Sequence, residues 1–126
     1  MQYILRIEKA SPSLNEYTYN KNPFIQRRDK QVWAWLIRTS DGFNDVPKAT
    51  GPRSLHIERH GRRRLDPDNL IGGAKCVITD NLRALGLLID DCDSLFAITS
   101  ENVKLLPKEH PFTVLVLTDI EPMELR

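Results

Sequence analysis

Between residues 53 and 85 a two-residue hydrophobic period gives way to a helical one, and that change dictates most of what the chain can become. In residues 53–60, Leu55, Ile57 and Arg59 face one way and His56, Glu58 and His60 the other. Such alternation marks a strand with one face buried. Over residues 68–85 the helical period takes over. There Leu70, Ala74, Val77, Ile78, Asn81, Leu82 and Leu85 fall in one broad sector at about 100° per residue. Gly86 follows where a helix C-cap belongs.

The remaining segments fit around this unit. Residues 2–8 alternate weakly and predict a first strand. Ser11-Pro12-Ser13-Leu14-Asn15 has turn chemistry, because proline presets a dihedral and small polar side chains bond nearby backbone. Residues 16–23 predict a polar, aromatic surface loop. Residues 25–39 predict a helix, with Ile25, Val32, Trp33, Leu36 and Ile37 on one face and Arg27, Arg28 and Lys30 mostly elsewhere. Residues 40–52 hold Gly42, Pro47, Gly51 and Pro52 and predict a long loop, of the kind that moves or contacts a ligand. Leu87-Leu88-Ile89 predicts a very short apolar strand. Residues 94–100 and 112–119 predict two more, the last apolar enough to lie centrally in a sheet. The expected fold is α/β (α+β): one domain over residues 1–126, a mixed sheet flanked by two main helices.

Composition excludes several classes. Cys76 and Cys92 are too few and too isolated for a disulfide framework or a four-thiolate zinc site, which points to a reducing, cytoplasmic home. The first residues lack the long apolar core of a signal peptide. Apolar runs such as residues 114–117 are too short to span a bilayer, so no membrane partner is expected. The formal net charge is only +1, and it does not announce a nucleic-acid binder. Its distribution says more. Residues 53–64 hold five arginines against Glu58, whereas residues 66–93 hold six aspartates against Lys75 and Arg83. Asymmetry of this kind focuses a field at one place on a nearly neutral protein.

The change of sign falls at the join of strand and helix, in Arg62-Arg63-Arg64-Leu65-Asp66-Pro67-Asp68-Asn69-Leu70. Proline bars the helix from the residue before it, so Asp66 should be extended. With Asp68 as the helix cap, the backbone bends there and both carboxylates can converge on one cation. Hard ions such as Mg²⁺, with Mn²⁺ as the other candidate, take oxygen ligands from a few carboxylates and complete their shell with water or phosphate. Asp91 or Asp90 would be the third ligand; neighbours at a strand end point oppositely, so only one of them joins. Lys75 lies seven positions after Asp68, roughly 20° away in azimuth and about 10 Å along the axis, placed for the far side of a bound phosphate. Gly72 and Gly73 between them leave room for a close-approaching backbone. An arginine patch beside a carboxylate cage is what cutting a phosphodiester requires. Arg62, Arg63 and Arg64, followed by Arg53 and Arg59, would bind phosphates.

Other constellations are weaker. His56 and His60 on a strand lie about 13 Å apart, too far for one ion. Cys92 follows two carboxylates, which disfavour a thiolate. No nucleophile-elbow or phosphate-loop motif appears, and no organic cofactor is expected. Trp33 is expected in the core and Trp35 on a partner surface. The loop of Tyr17, Tyr19, Asn20, Lys21 and Asn22 suits contact with a DNA backbone as well as plain solvent.

Three blocks of the chain resemble the RusA-type Holliday junction resolvases, a family widespread in bacteriophages and prophages. Pro12-Ser13-Leu14-Asn15 with Tyr17 resembles an early Pro-Ser-x-Asn segment. The Arg62-to-Leu70 block resembles an arginine run leading into Asp-x-Asp-Asn-Leu. Leu85-Gly86 with Asp90-Asp91 resembles a Leu/Ala-Gly segment ending in Asp-Asp. The resemblance covers roughly residues 3–119. It implies Asp66, Asp68 and Asp91 as metal ligands (Asp90 the alternative), Lys75 as the essential lysine, and Asn69, Asn15 and Arg62 to Arg64 as DNA contacts. Three extra residues, the glycine pair among them, separate Lys75 from Asp-Asn-Leu relative to the best-known member. The likeness further implies a homodimer acting on branched DNA, four-way junctions above all, by Mg²⁺-dependent cleavage in a bacterial or phage-infected host cytoplasm. Two other readings fit the same residues: a catalytically silent junction-binding accessory protein, and a carboxylate-metal phosphohydrolase acting on small phosphate esters.

Overall fold

A computed structural model describes residues 1–13, 22–89 and 98–120. Among these residues the strands are β1 (Gln2–Ile7), β2 (Arg53–Gly61), β3 (Thr99–Lys104) and β4 (Phe112–Asp119), hydrogen-bonded in the order β1-β4-β2-β3. β4 runs antiparallel to both β1 and β2, and β3 runs parallel to β2. The sheet is therefore mixed. Two main helices pack on it: α1 (Pro23–Arg38), and a rod made of α2 (Pro67–Ala74), a π turn (Lys75–Thr79) and α3 (Asp80–Ala84). The result is a small α+β domain of the expected class. No helix among the described residues is long and apolar enough to cross a membrane.

Period-two alternation builds the inner face of the sheet. Leu5, Leu115 and Ile57 stand in register across three strands, and so do Tyr3, Leu117 and Leu55. Those six side chains, Tyr3 partly and the rest fully buried, meet Trp33 and Ile37 of α1 and Ala74, Val77, Ile78 and Leu82 of the rod. Burying each Leu or Ile contributes about 2 kcal/mol. The rod's apolar stripe Leu70, Ala74, Ile78, Leu82 repeats every four residues. A pure α-helix turns past that repeat and would carry the stripe about 40° further round at each step. The wider π turn slows the rotation and keeps all four side chains buried.

Caps set the helix limits. The Asn22 side chain accepts the Ile25 amide at 2.9 Å, and Pro23 begins α1. After Leu85, Gly86 takes φ +80°. Its N–H reaches the Arg83 carbonyl at 3.0 Å, and the Leu87 N–H reaches that of Leu82 at 2.8 Å. This is the Schellman closure that glycine permits.

Several sequence expectations need correction. Residues 87–89 are not a strand: the Leu87 amide is spent on closing the helix and its side chain is buried. Of the strand expected at 94–100, residues 94–97 lie outside the described residues; the described strand is Thr99–Lys104, which runs past the expected end as a polar segment at the sheet edge, where one neighbour and charged side chains are the rule. Val32 is 41% exposed, one step round α1 from buried Trp33. The 40–52 loop is partly organised: Phe43–Asp45 forms a 3₁₀ turn, Val46 enters the core, and the Asp41 carbonyl accepts the Arg6 amide at 3.1 Å. Trp35, 57% exposed, stays outside as expected.

Arg53 and Asp119 are directly paired across β2 and β4, and Arg53 Nε donates to Asp119 Oδ1 at 2.7 Å. Arg53 is buried, donates also to the Leu87 carbonyl at 3.1 Å, and lies over the Tyr3 ring. It braces the fold and is not available to a phosphate. The hydrogen bond from Arg53 holds the Asp119 carboxyl below its ordinary 3.8. A depressed folded-state value means that the stabilisation is present above 3.8 and is lost as pH falls through the lower, folded value. Urea midpoints should therefore differ most between wild type and Asp119→Asn near neutrality and converge under acid. A gap that stays constant below pH 3.8 would contradict this.

Candidate functional site

β2 and β3 are parallel neighbours, so their carboxyl ends lie side by side at Gly61 and Lys104. Ligands of α/β sheets favour this place, where loops leave the strands and helices begin. A cleft of about 440 Å³ opens there, lined by Gly61, Arg62, Arg63, Arg64, Asn102, Val103 and Lys104. The three arginines and Lys104 are exposed. Arg62 and Lys104 also line an adjoining cleft with Leu105, Leu106 and Pro107. Four cations along one open trough suit an extended polyanion.

Two hidden side chains shape the arginine loop. Asn102 on β3 donates from Nδ2 to the Leu65 carbonyl at 2.7 Å, and its Oδ1 accepts the Leu65 amide at 3.2 Å. A side-chain amide thus does for Leu65 what a strand partner would. Arg59, 8% exposed, donates from Nε to the Ser11 carbonyl at 2.8 Å and from Nη1 to the Arg63 carbonyl at 2.9 Å. It is a structural clamp rather than a phosphate ligand, in keeping with its place on the inward face of β2. Through it the Ser11-Pro12-Ser13 segment is held against the arginine run, some fifty residues away. Asn102→Ala should cost about 1–2 kcal/mol and strip hydrogen-exchange protection from the Leu65 amide. Unchanged exchange at Leu65 would show that the loop holds itself.

Asp66, and not Asp68, caps α2. Its Oδ1 accepts the Asn69 amide at 2.8 Å, and its carbonyl accepts the Leu70 amide at 3.0 Å. The reason is Pro67: proline favours the first helical position, which makes the residue before it the cap. Asp68 then sits in the first turn, where a carboxylate is favoured by the helix dipole. Both aspartates are exposed, and Asp66 keeps its second carboxylate oxygen outside the cap bond. Hard oxygen donors of this kind fit Mg²⁺. Lys75 opens the π turn, seven residues beyond Asp68 along the rod. Asn15, Asp90 and Asp91 lie outside the described residues.

No family model matches the chain, and no curated protein is significantly similar to it. The structure brings together Arg62, Arg63, Arg64, Asp66, Asp68 and Asn69 at one helix start. It adds Lys104 and Asn102, which sequence reasoning missed. Neither had a signal: both lie on a polar edge strand that no hydrophobic period announces. Among the described residues, the one group of three metal-ligating side chains with donor atoms within 4.8 Å of one another lies elsewhere, at His56, Glu58 and Glu101.

Proposed function

We propose that the chain is a metal-dependent, structure-selective endodeoxyribonuclease that resolves four-way DNA junctions as a homodimer. The observation that carries this reading is the cationic trough at the carboxyl ends of β2 and β3, whose arginine loop leads directly into the helix start that bears Asp66 and Asp68. Arg62, Arg63, Arg64 and Lys104 would grip consecutive phosphates and set the scissile one beside the aspartates. Asp66 and Asp68, with Asp91 or Asp90 as third ligand, would hold Mg²⁺ or Mn²⁺. Such an ion, when bound, activates water and stabilises charge on the leaving oxygen. Lys75 would offset negative charge at the phosphorus, and Asn69 and Asn15 would contact the DNA. A four-way junction has near two-fold symmetry, and a two-fold dimer offers one site per strand to be cut.

The test is cleavage of a labelled four-way junction against a linear duplex, with Mg²⁺. Selective, paired incision supports the reading. Preference for flaps or single strands keeps the nuclease but rejects the resolvase. Binding without incision in either metal favours the accessory protein, and turnover of small phosphate esters without DNA affinity favours the phosphohydrolase.

The arginines carry their own prediction. Arg63→Ala and Arg64→Ala should each lower the slope of log affinity against log salt by about one, with fold intact. A slope equal to wild type in both would remove the loop from the DNA interface.

A further inference from the structure

We propose a second cation site, for zinc-class divalent metals, on the face of the sheet opposite the helices, held by His56, Glu58 and Glu101. It stands apart from the nuclease reading and uses none of its residues. Strand alternation places His56, Glu58 and His60 on the outward face of β2, and the parallel register sets Glu101 of β3 directly beside Glu58. One imidazole nitrogen and two carboxylates thereby converge, with donor atoms all within 4.8 Å.

Three features point to a cation there. Two carboxylates facing each other across adjacent strands repel, and a positive charge between them removes that cost. His56 is already oriented: its Nδ1 lies 2.6 Å from Thr99 Oγ1, which turns Nε2 toward Glu101 Oε1 at 3.0 Å. A metal-binding histidine is commonly tethered in this way through its other nitrogen. Between Nε2 and the carboxylate only a proton or a cation is at ease. Glu58 is fixed from its other side by His60 Nε2 at 3.3 Å, and the His60 ring stacks on Phe112 at 4.0 Å. The mixed nitrogen and carboxylate set suits Zn²⁺ over Mg²⁺, which prefers oxygen alone. The fourth position opens to solvent, since the His56 and Glu101 side chains are 33% and 54% exposed. His56 and His60 do not share the ion; the strand holds them too far apart, and Glu58 and Glu101 supply what that pair lacks.

The test is calorimetric titration of Zn²⁺ into the full chain, freed of metal by a chelator and then kept in excess Mg²⁺ so that the Asp66–Asp68 carboxylates are occupied, with Co²⁺ absorption as a report on coordination. Wild type should bind one ion per chain and show visible cobalt bands of low-coordinate geometry. His56→Gln and Glu101→Gln should each weaken Zn²⁺ by at least about tenfold and lose the bands, while Glu8→Gln, just past β1 and outside both sites, keeps both. Circular dichroism checks folding, and exposed Glu101 carries the test should the His56 variant misfold. No binding by wild type, undiminished binding by both variants, or an equal loss in Glu8→Gln would overturn the proposal. Failure of zinc binding leaves junction cleavage untouched, and failure of cleavage leaves zinc binding untouched.

Discussion

Asp68→Asn should lower Mg²⁺-dependent cleavage of a four-way junction at least about a hundredfold, with junction binding retained. The substitution is nearly isosteric and removes only the charge that a hard cation needs. Asp68 is exposed in the first turn of α2, so the structural penalty is confined to the helix dipole, about 0.3–1 kcal/mol. Mg²⁺ should raise the melting temperature of wild type and leave that of the variant unchanged. Asp66→Asn is the less informative partner, because that residue also caps the helix. Equal cleavage by variant and parent would refute the carboxylate assignment.

Gly42→Ala should destabilise the fold by about 3 kcal/mol or more. Gly42 has φ +94°, a region costing L-residues about 1–2 kcal/mol. A Cβ there would also collide with the Ile4 carbonyl oxygen, which is backbone of β1 and has no freedom to swing aside. Relief requires the loop to leave the strand, breaking the Arg6 amide to Asp41 carbonyl bond and drawing Phe43 and Val46 from the core. Gly51→Ala is the control: a Cβ there meets nothing within 4 Å, and its effect should stay within about 0.5 kcal/mol. Urea denaturation of both variants settles the matter. Similar midpoints would mean that the 40–46 turn yields cheaply.

The parts of the fold legible in the sequence are those governed by a strong period. β4 is found over the expected residues, and β1, β2, α1 and the long rod differ only at their ends, because burial on one face enforces alternation or helical spacing. β3 runs past its expected end at residue 100 to Lys104, since an edge strand pairs on one side and needs no apolar face to announce it. The run 87–89 is apolar for a different reason: Leu87 is buried in the core just past the helix end and Leu88 packs against it. Of the site, the arginine run and the Asp66–Asp68 pair were legible as chemistry. The cap lies at Asp66, two residues before the expected Asp68, as Pro67 at the first helical position dictates. Arg59 shows how far pattern reaches. Alternation put it on the inward face, but that its guanidinium ties Ser11 to Arg63 required coordinates.

Asn102 makes the outermost strand a structural dependant and a supporter at once. Its amide is the strap by which β3 grips the basic loop. Fraying at that rim of the sheet would therefore loosen the arginine loop before any central strand is disturbed. The least protected border of the sheet thus sets how firmly its most basic segment is held.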